Sequence, residues 1–315
     1  MKFTTQLFVL ILALLFFIYL STQLGIAPSG GLWDWNYVIS HRLVRALIAA
    51  FIGAMLACAG ALTQSVIRNP LASPDILGIS HGASLAAVMT LSLFPNLAMH
   101  YLPFICFGGA MMASVILKLT IGKRFSSPML IAVTGIALSA WFASINDYLL
   151  VSHSQTTSTV LLWLAGSLWG KNWLQFSWLF PWISILIVSL LLAQPLNLLL
   201  LGSQQAQLIG TRPQRIQVIA LILAMLLTAV SVALCGPIGF VGLIAPHLAR
   251  LLTGSRHQQL LPIAMSYGAL ILVLADLIGR TLLRPVEIPV GLVIALLGAP
   301  YFIFLLLRQK ASLHA

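Results

Sequence analysis

Acidic residues are nearly missing from this chain: Asp and Glu together number 5 in 315 positions, and charged residues of either sign make up 7%. So little charge cannot solvate the surface of a soluble domain. With 60% hydrophobic residues and a mean hydropathy of +1.05, the composition is that of a polytopic membrane protein. Cysteine is scarce as well. Cys58, Cys106 and Cys235 stand far apart in apolar runs, without the spacing of a metal site or redox pair, and read as small buried hydrophobes. No G-x-x-x-x-G-K-[ST] loop occurs, so the chain is not expected to hydrolyse ATP or to act as an enzyme by itself. Nor does an acid fall in mid-span, where a charge costs about 2.5–3.5 kcal/mol and usually marks an ion or proton relay. Asp75, Asp147, Asp276 and Glu287 all lie near span ends, which argues against a proton-coupled carrier.

What is plentiful is basic charge, with a formal net of +11. In a soluble protein that would raise nucleic acid as a partner; here the basic residues lie between apolar runs, where they set orientation. Apolar runs predict spans at 7–26, 43–67, 78–95, 101–121, 129–151, 176–200, 216–235, 238–253, 260–278 and 289–307, the first read as an uncleaved span. The expected fold is therefore all-α and ten-span, a single membrane domain over 1–315. Parity agrees. Lys2 at one end, and Arg308 with Lys310 at the other, both belong in the cytoplasm under the positive-inside rule, and that requires an even number of crossings. Arg68, Lys123, Arg124, Arg212, Arg215, Arg256 and His257 then fall inside, while Asp34, Asp147 and Glu287 fall outside or near it. Five cations break the rule by falling outside: Arg42, Arg45, Lys171, Arg280 and Arg284.

Small residues recur every four positions, as Ala46, Ala50, Ala54 and Cys58 in the second span and as Gly78, Gly82 and Ala86 in the third. Such stripes let helix backbones approach closely in lipid, although an alanine-rich chain also produces them by chance. Between these spans runs a polar corner from Arg68 to Asp75. Pro70 and Pro74 lack the helical amide donor and push Asn69 and Ser73 away from helical geometry, making the corner a candidate moving or gating part.

Three further stretches are unusual. Arg42 and Arg45 share one face at the outer mouth of the second span, and Arg280 ends the ninth on the same side. They either snorkel or pair locally, as Arg280 with Asp276, or form a basic surface that receives an acidic partner. The inner loop from Leu201 to Pro213 sets Gln204, Gln205, Ala206 and Gln207 between Gly202 and Gly210. It is either an ordinary connection or a short surface helix that docks a cytoplasmic subunit. From Gly236 to His247, Pro237, Pro246 and three glycines weaken a span; discontinuous spans occur at transport sites, and His247 is either a ligand or proton carrier or a structural hydrogen-bonded group. Thr134, Ser139 and Ser144 of the fifth span either face a pathway or serve packing.

Together these motifs carry a resemblance. Arg42-Leu-Val-Arg45 with Gly53, Gly60 and Gln64, then Arg68 to Gly78, Cys235 to His247, and Glu287 to Gly291 leading to Gly298-Ala-Pro300, resemble the permease subunits of ABC importers for ferric siderophores and vitamin B12, the FecCD family. Ser73 to Gly78, Asp147-Tyr-Leu and Leu161 to Gly170 resemble in particular the permeases of ferric citrate importers. The resemblance implies a type II importer bundle in the bacterial inner membrane, paired with a paralogous permease subunit. Two cytoplasmic ATPase subunits would hydrolyse the ATP, and a periplasmic ferric-citrate-binding protein would dock on Arg42, Arg45 and Arg280. It further implies that Gly202, Gln204, Gln205, Ala206 and Gly210 form the ATPase coupling loop and that access alternates; the sequence itself adds helices weakened near Pro70, Pro74, Pro237 and Pro246 that could bend, with Asn69 and His247 among the candidate gate or pathway residues. No cofactor is expected on this chain. The sequence departs from the family where Gln204 and Gln205 stand in place of an acid and where Val44 replaces a proline. Rival expectations are another siderophore, haem or cobalamin as cargo, a secondary transporter, and a membrane sensor or scaffold that transports nothing.

Overall fold

A computed structural model of the chain describes residues 3–24, 38–94, 97, 99–122, 127–153, 157–200, 202–208, 210–283 and 285–313. The topology markers Lys2, Asp34, Lys123, Arg124 and Arg284 lie outside the described residues, as do the side chains of Gln204, Arg308 and Lys310. Every long apolar run forms helix. In order these are α1 Phe3–Gln23, then a wide turn Val38–Leu43 opening into α2 Val44–Ile67, α3 Ile79–Leu93, α4 Leu102–Ile121, α5 Pro128–Ser152, and a short α6 Thr157–Leu164. The rest are α7 Trp173–Ser177, α8 Phe180–Leu191, α9 Ala193–Leu199, α10 Ser203–Leu208, α11 Pro213–Cys235, α12 Val241–Thr253, α13 His257–Thr281 and α14 Val290–Leu313. Among the described residues there is no strand. Eight stretches of the described residues are long and apolar enough to cross a membrane, while α3 and α12, at 15 and 13 residues, fall short of the roughly 20 that a full crossing takes.

The sixth expected span, 176–200, is broken. Pro195 cannot donate to Leu191 and crowds its carbonyl, so the run divides at Leu192 into α8 and α9. The eighth starts three residues later than expected, because Gly236 to Gly239 stays non-helical and α12 begins only after Phe240, whose φ is +63°.

Burial separates centre from rim: 78% of the apolar windows of α2 and α11 is buried, against 6% for α1. Helix α2 is the axis. Along it α13 packs so closely that a Cβ on either Gly53 or Gly268 would lie 2.2 Å from the other's carbonyl oxygen. Gly82 of α3 and Gly109 of α4 meet in the same way, and further down α2 a Cβ on Gly60 would run into the carbonyl of Gly242 of α12. The small-residue stripes are thus packing faces, with Ala46, Ala50 and Cys58 buried. Polar groups in this core return to their own helices: Thr63, Ser84, Thr228 and Ser231 each donate to the carbonyl four residues back.

Candidate functional site

At the end of the bundle that the charge rule places outside, the turn Val38–Leu43, the start of α2 and the end of α13 bring three arginines to one place, beside Glu287 of the loop before α14. Arg45 is the hub. Its guanidinium holds Asp276 Oδ1 at 2.8 and 2.9 Å and Glu287 Oε2 at 2.8 Å. Arg280 Nε lies 3.0 Å from Asp276 Oδ2, without the angle of a hydrogen bond. The local pair expected of Arg280 and Asp276 is therefore present.

The other guanidinium groups turn to the end of α1. Arg42 Nη1 donates to Thr22 O at 3.1 Å, and Arg280 reaches Ser21 Oγ together with the carbonyls of Ser21 and Leu24 at 3.4 and 3.5 Å. These belong to the last turn of α1, whose carbonyls lack partners within the helix and carry its negative dipole end. The two arginines cap it. In front of them opens a pocket of about 330 Å³ lined by His41, Arg42, Arg45, Lys171, Arg280 and Glu287, along with Trp169 and Gly170. Four cations, Arg42, Arg45, Lys171 and Arg280, stand there against two carboxylates, Asp276 and Glu287, leaving the mouth net positive. Lys171, absent from the sequence-based site, also lines a larger adjoining cavity of about 750 Å³ with Trp163 and Gln175.

Beneath the pocket, three stretches quoted for the family resemblance lock together. Ser167 N donates to Cys235 O at 2.8 Å, and Gly291 N donates to Gly166 O at 3.1 Å. Glycine is required here. Gly166 and Gly236 have φ of +70° and +73°, and a Cβ on them would come within 2.5 Å of Pro237 O and 2.4 Å of Trp163 O respectively.

Toward the inner end, the corner and the broken span also meet. Pro74 starts a 3-10 turn, Pro74–Leu77, and its ring packs on Gly242, while Gln64 donates to Gly242 O at 3.4 Å and accepts from Arg250. Asn69 folds on itself, accepting Leu71 N at 2.9 Å, and Pro70 is exposed. Pro246 is buried inside α12, and Pro237 lies in the break before it. His247 is half-buried with its ring edge-on to Tyr301, and makes no hydrogen bond among the described residues.

The serine and threonine set of α5 does not gather. Thr134, Ser139 and Ser144 are five apart, about 140° around a helix at each step. Ser139 Oγ is buried near Gly78 without a partner, whereas Ser144 is exposed and bonds Ala140 O at 2.9 Å. The loop from Gly202 to Gly210 does hold a short helix, α10, bounded by glycines with φ of +94° and +82°. Ala206 is buried against the bundle; Gln205, Gln207, Leu208 and Gly210 face out.

A second inner cluster was not foreseen. Asn197 of α9, His257 of α13 and Ser65 of α2 form a chain of hydrogen bonds between helices far apart in sequence. His257 had served only as a topology marker. The signal was a pair of amides, Gln194 and Asn197, within a run that is apolar on either side.

Comparison with known proteins agrees with this architecture. The family model of the FecCD transport family matches residues 4–308. The chain is 45% identical to the Fe(3+) dicitrate transport system permease FecD of Escherichia coli over 302 residues, covering 92% of this chain and 94% of that one. It is 43% identical to the Fe(3+)-citrate import permease YfmE of Bacillus subtilis, covering 87% of this chain and 83% of the relative. An ABC transporter of metal-chelate type, solved in an inward-facing conformation, superimposes with a TM-score of 0.87 at 30% identity, covering 98% of this chain and all of that one. Multi-pass seating in the inner membrane follows from the apolar helices and these relatives together. The chain belongs to the FecCD transport family and is the membrane-embedded permease of an ABC transporter.

Proposed function

We propose that this permease carries ferric citrate from periplasm to cytoplasm by alternating access, as one half of a pathway completed by a paralogous permease subunit. The observation that supports it most is the 45% identity to a ferric dicitrate permease along almost the full chain. In this reading the polypeptide crosses ten times with both termini in the cytoplasm, α3 and α12 being sheltered within the bundle. It binds no cofactor, and two ATPase subunits supply the energy through the Gly202–Gly210 loop.

A periplasmic ferric-citrate-binding protein docks at the outer pocket. The excess of positive charge around Arg42, Arg45, Arg280 and Lys171 supports an acidic counterpart, and charge complementarity of this kind acts mainly on encounter and specificity. Arg45 and Arg280 have a second duty inside the chain. Reversing Arg45 would place three carboxylates together, so Lys171 is the better probe of docking; among the described residues no carboxylate lies within ion-pair distance of it. Pro74 against Gly242, the non-helical stretch at Pro237 and the proline inside α12, Pro246, are the places where the spans bend.

Uptake of radiolabelled iron tests the reading, in cells lacking the gene and in cells with it restored, supplied in parallel as ferric citrate, ferric hydroxamate and ferric catecholate. Loss confined to ferric citrate supports it, and Lys171→Glu should then weaken uptake about threefold to tenfold at low salt and lower its salt sensitivity. Loss on a different chelate keeps the importer and changes the cargo. Unchanged uptake of all three removes iron import.

A further inference from the structure

Helix α10 is six residues long and, among its described side chains, buries Ala206 alone, so the force it receives travels along the chain to a firmer anchor. That anchor is α9. Leu196 and Leu199 are buried, and between them Asn197 makes the polar contacts. Its Oδ1 accepts from the backbone N–H of His257 at 2.8 Å and lies 2.9 Å from His257 Nδ1, while its Nδ2 donates to Gln258 Oε1 at 2.7 Å. The chain then continues from His257 Nε2 to Ser65 Oγ at 2.6 Å.

Counting hydrogens shows that the links differ. The backbone N–H fixes Asn197 Oδ1 as an acceptor, so Nδ1 of the ring is assigned the hydrogen, and Nε2 of a neutral ring offers only a lone pair. Ser65 must therefore donate to it. Yet Ser65 Oγ also lies 2.7 Å from Ala61 O, and it has a single hydrogen to give. The joint between α9 and α13 has three contacts that all agree in polarity. The joint between α13 and α2 rests on one hydrogen with two claimants.

We propose that Asn197 and His257 are positioning residues that make α9 and the start of α13 one mechanical unit with α10, and that the switching joint is the Ser65–His257 contact, released when Ser65 turns its hydrogen to Ala61. The inference rests on the ABC permease reading and specifies which residues carry motion from the ATPase side into the spans. Helix shifts of about 1–2 Å are enough to break a hydrogen bond of this length.

The complete complex in proteoliposomes, with radiolabelled iron given as ferric citrate, provides the test. Asn197→Leu is expected to leave ATP hydrolysis within about twofold of wild type and to lower iron moved per ATP about tenfold. Equal loss of both activities overturns the proposal, because a group that merely stabilises the fold would lower them together. A second variant tests the link by restoring it. The double substitution Asn197→Cys with Gln258→Cys removes the same contacts, so its reduced form should lose iron moved per ATP as Asn197→Leu does; oxidised to a disulfide it fixes α9 to α13 again, and if the two move as one, iron moved per ATP returns toward the wild-type value with binding-protein-stimulated ATP hydrolysis kept. Arrest of ATP hydrolysis on oxidation, or no return of iron moved per ATP, refutes the rigid unit. Absence of iron movement in the wild-type complex is a failure of the transport reading instead, and stimulated ATP hydrolysis in the oxidised pair still decides the inference.

Discussion

The two ends of this bundle are held by different chemistry. Outside, buried charges are paired and capped over a knot of close backbone contacts; inside, the contacts are mostly hydrogen bonds between neutral groups beside a proline corner, and Arg250 is held by the Gln64 amide instead of a carboxylate. Removing one partner of a buried ion pair costs about 3–5 kcal/mol, whereas a neutral hydrogen bond contributes about 1 kcal/mol net. An outer end built this way keeps its shape for a partner. The inner end can exchange its contacts at little expense, and motion is expected there first.

The largest expected effect lies outside. Arg45→Met leaves Glu287 without its ion-pair partner and Asp276 with Arg280 alone, and should lower stability by about 3–5 kcal/mol, read as a fall in melting temperature of the purified protein in detergent. A loss below 1 kcal/mol would erase the contrast. Next come two glycines with similar backbone and unlike surroundings. Gly166→Ala forces a left-handed residue against Pro237 O and should cost about 2–4 kcal/mol, while Gly210→Ala, with open space around it, should cost about 1 kcal/mol. Similar losses at both positions would mean that close packing is not what distinguishes the ends. Smaller again is Ser65→Ala, expected to lose about 0.5–1.5 kcal/mol, because its hydrogen serves only one acceptor at a time.

The smallest effect is in pH dependence. Burial raises the Asp75 carboxyl above its ordinary range, opposed by the hydroxyl of Ser80 at 2.7 Å. Since the folded value exceeds the unfolded one, this group's contribution is full below the ordinary carboxylate range of about 4 and is lost as pH rises through the folded value. Asp75→Asn keeps an acceptor for Ser80 and has nothing to ionise. Melting curves of the variant taken from acid to neutral pH should therefore decline less than those of the wild type, and parallel curves would discard the assignment.

Much of the fold was legible because lipid imposes a simple rule, apolar length, and the runs around α2, α11 and α13 obey it. Where reading by length failed, a local group was responsible: Pro195 splits α8 from α9, and Gly236 to Gly239 delays α12. Both causes stood in the sequence, but their effect depends on whether neighbours satisfy the freed backbone. Site residues were less legible. The structure brings Arg42, Arg45 and Arg280 to one pocket, yet nothing in their spacing reveals that two of them cap α1. The separation of Thr134, Ser139 and Ser144 was computable from the helical repeat. The Asn197–His257–Ser65 chain was not, since it joins positions 60 and 192 residues apart.

The arrangement around Arg45 also bears on how the protein is made. Arg45 is synthesised 231 residues before Asp276, an interval of about 10–50 s at ordinary translation rates. Through that interval the ribosome has delivered the cation but neither carboxylate, so α2 enters the membrane with an unmet charge at its outer mouth. Arg42 waits for nothing, because the end of α1 that it caps has already emerged. The first two helices can thus be held as a pair from the start of biogenesis, while the ion pairs of Arg45 seal the outer end only when the ninth apolar segment and the loop after it arrive.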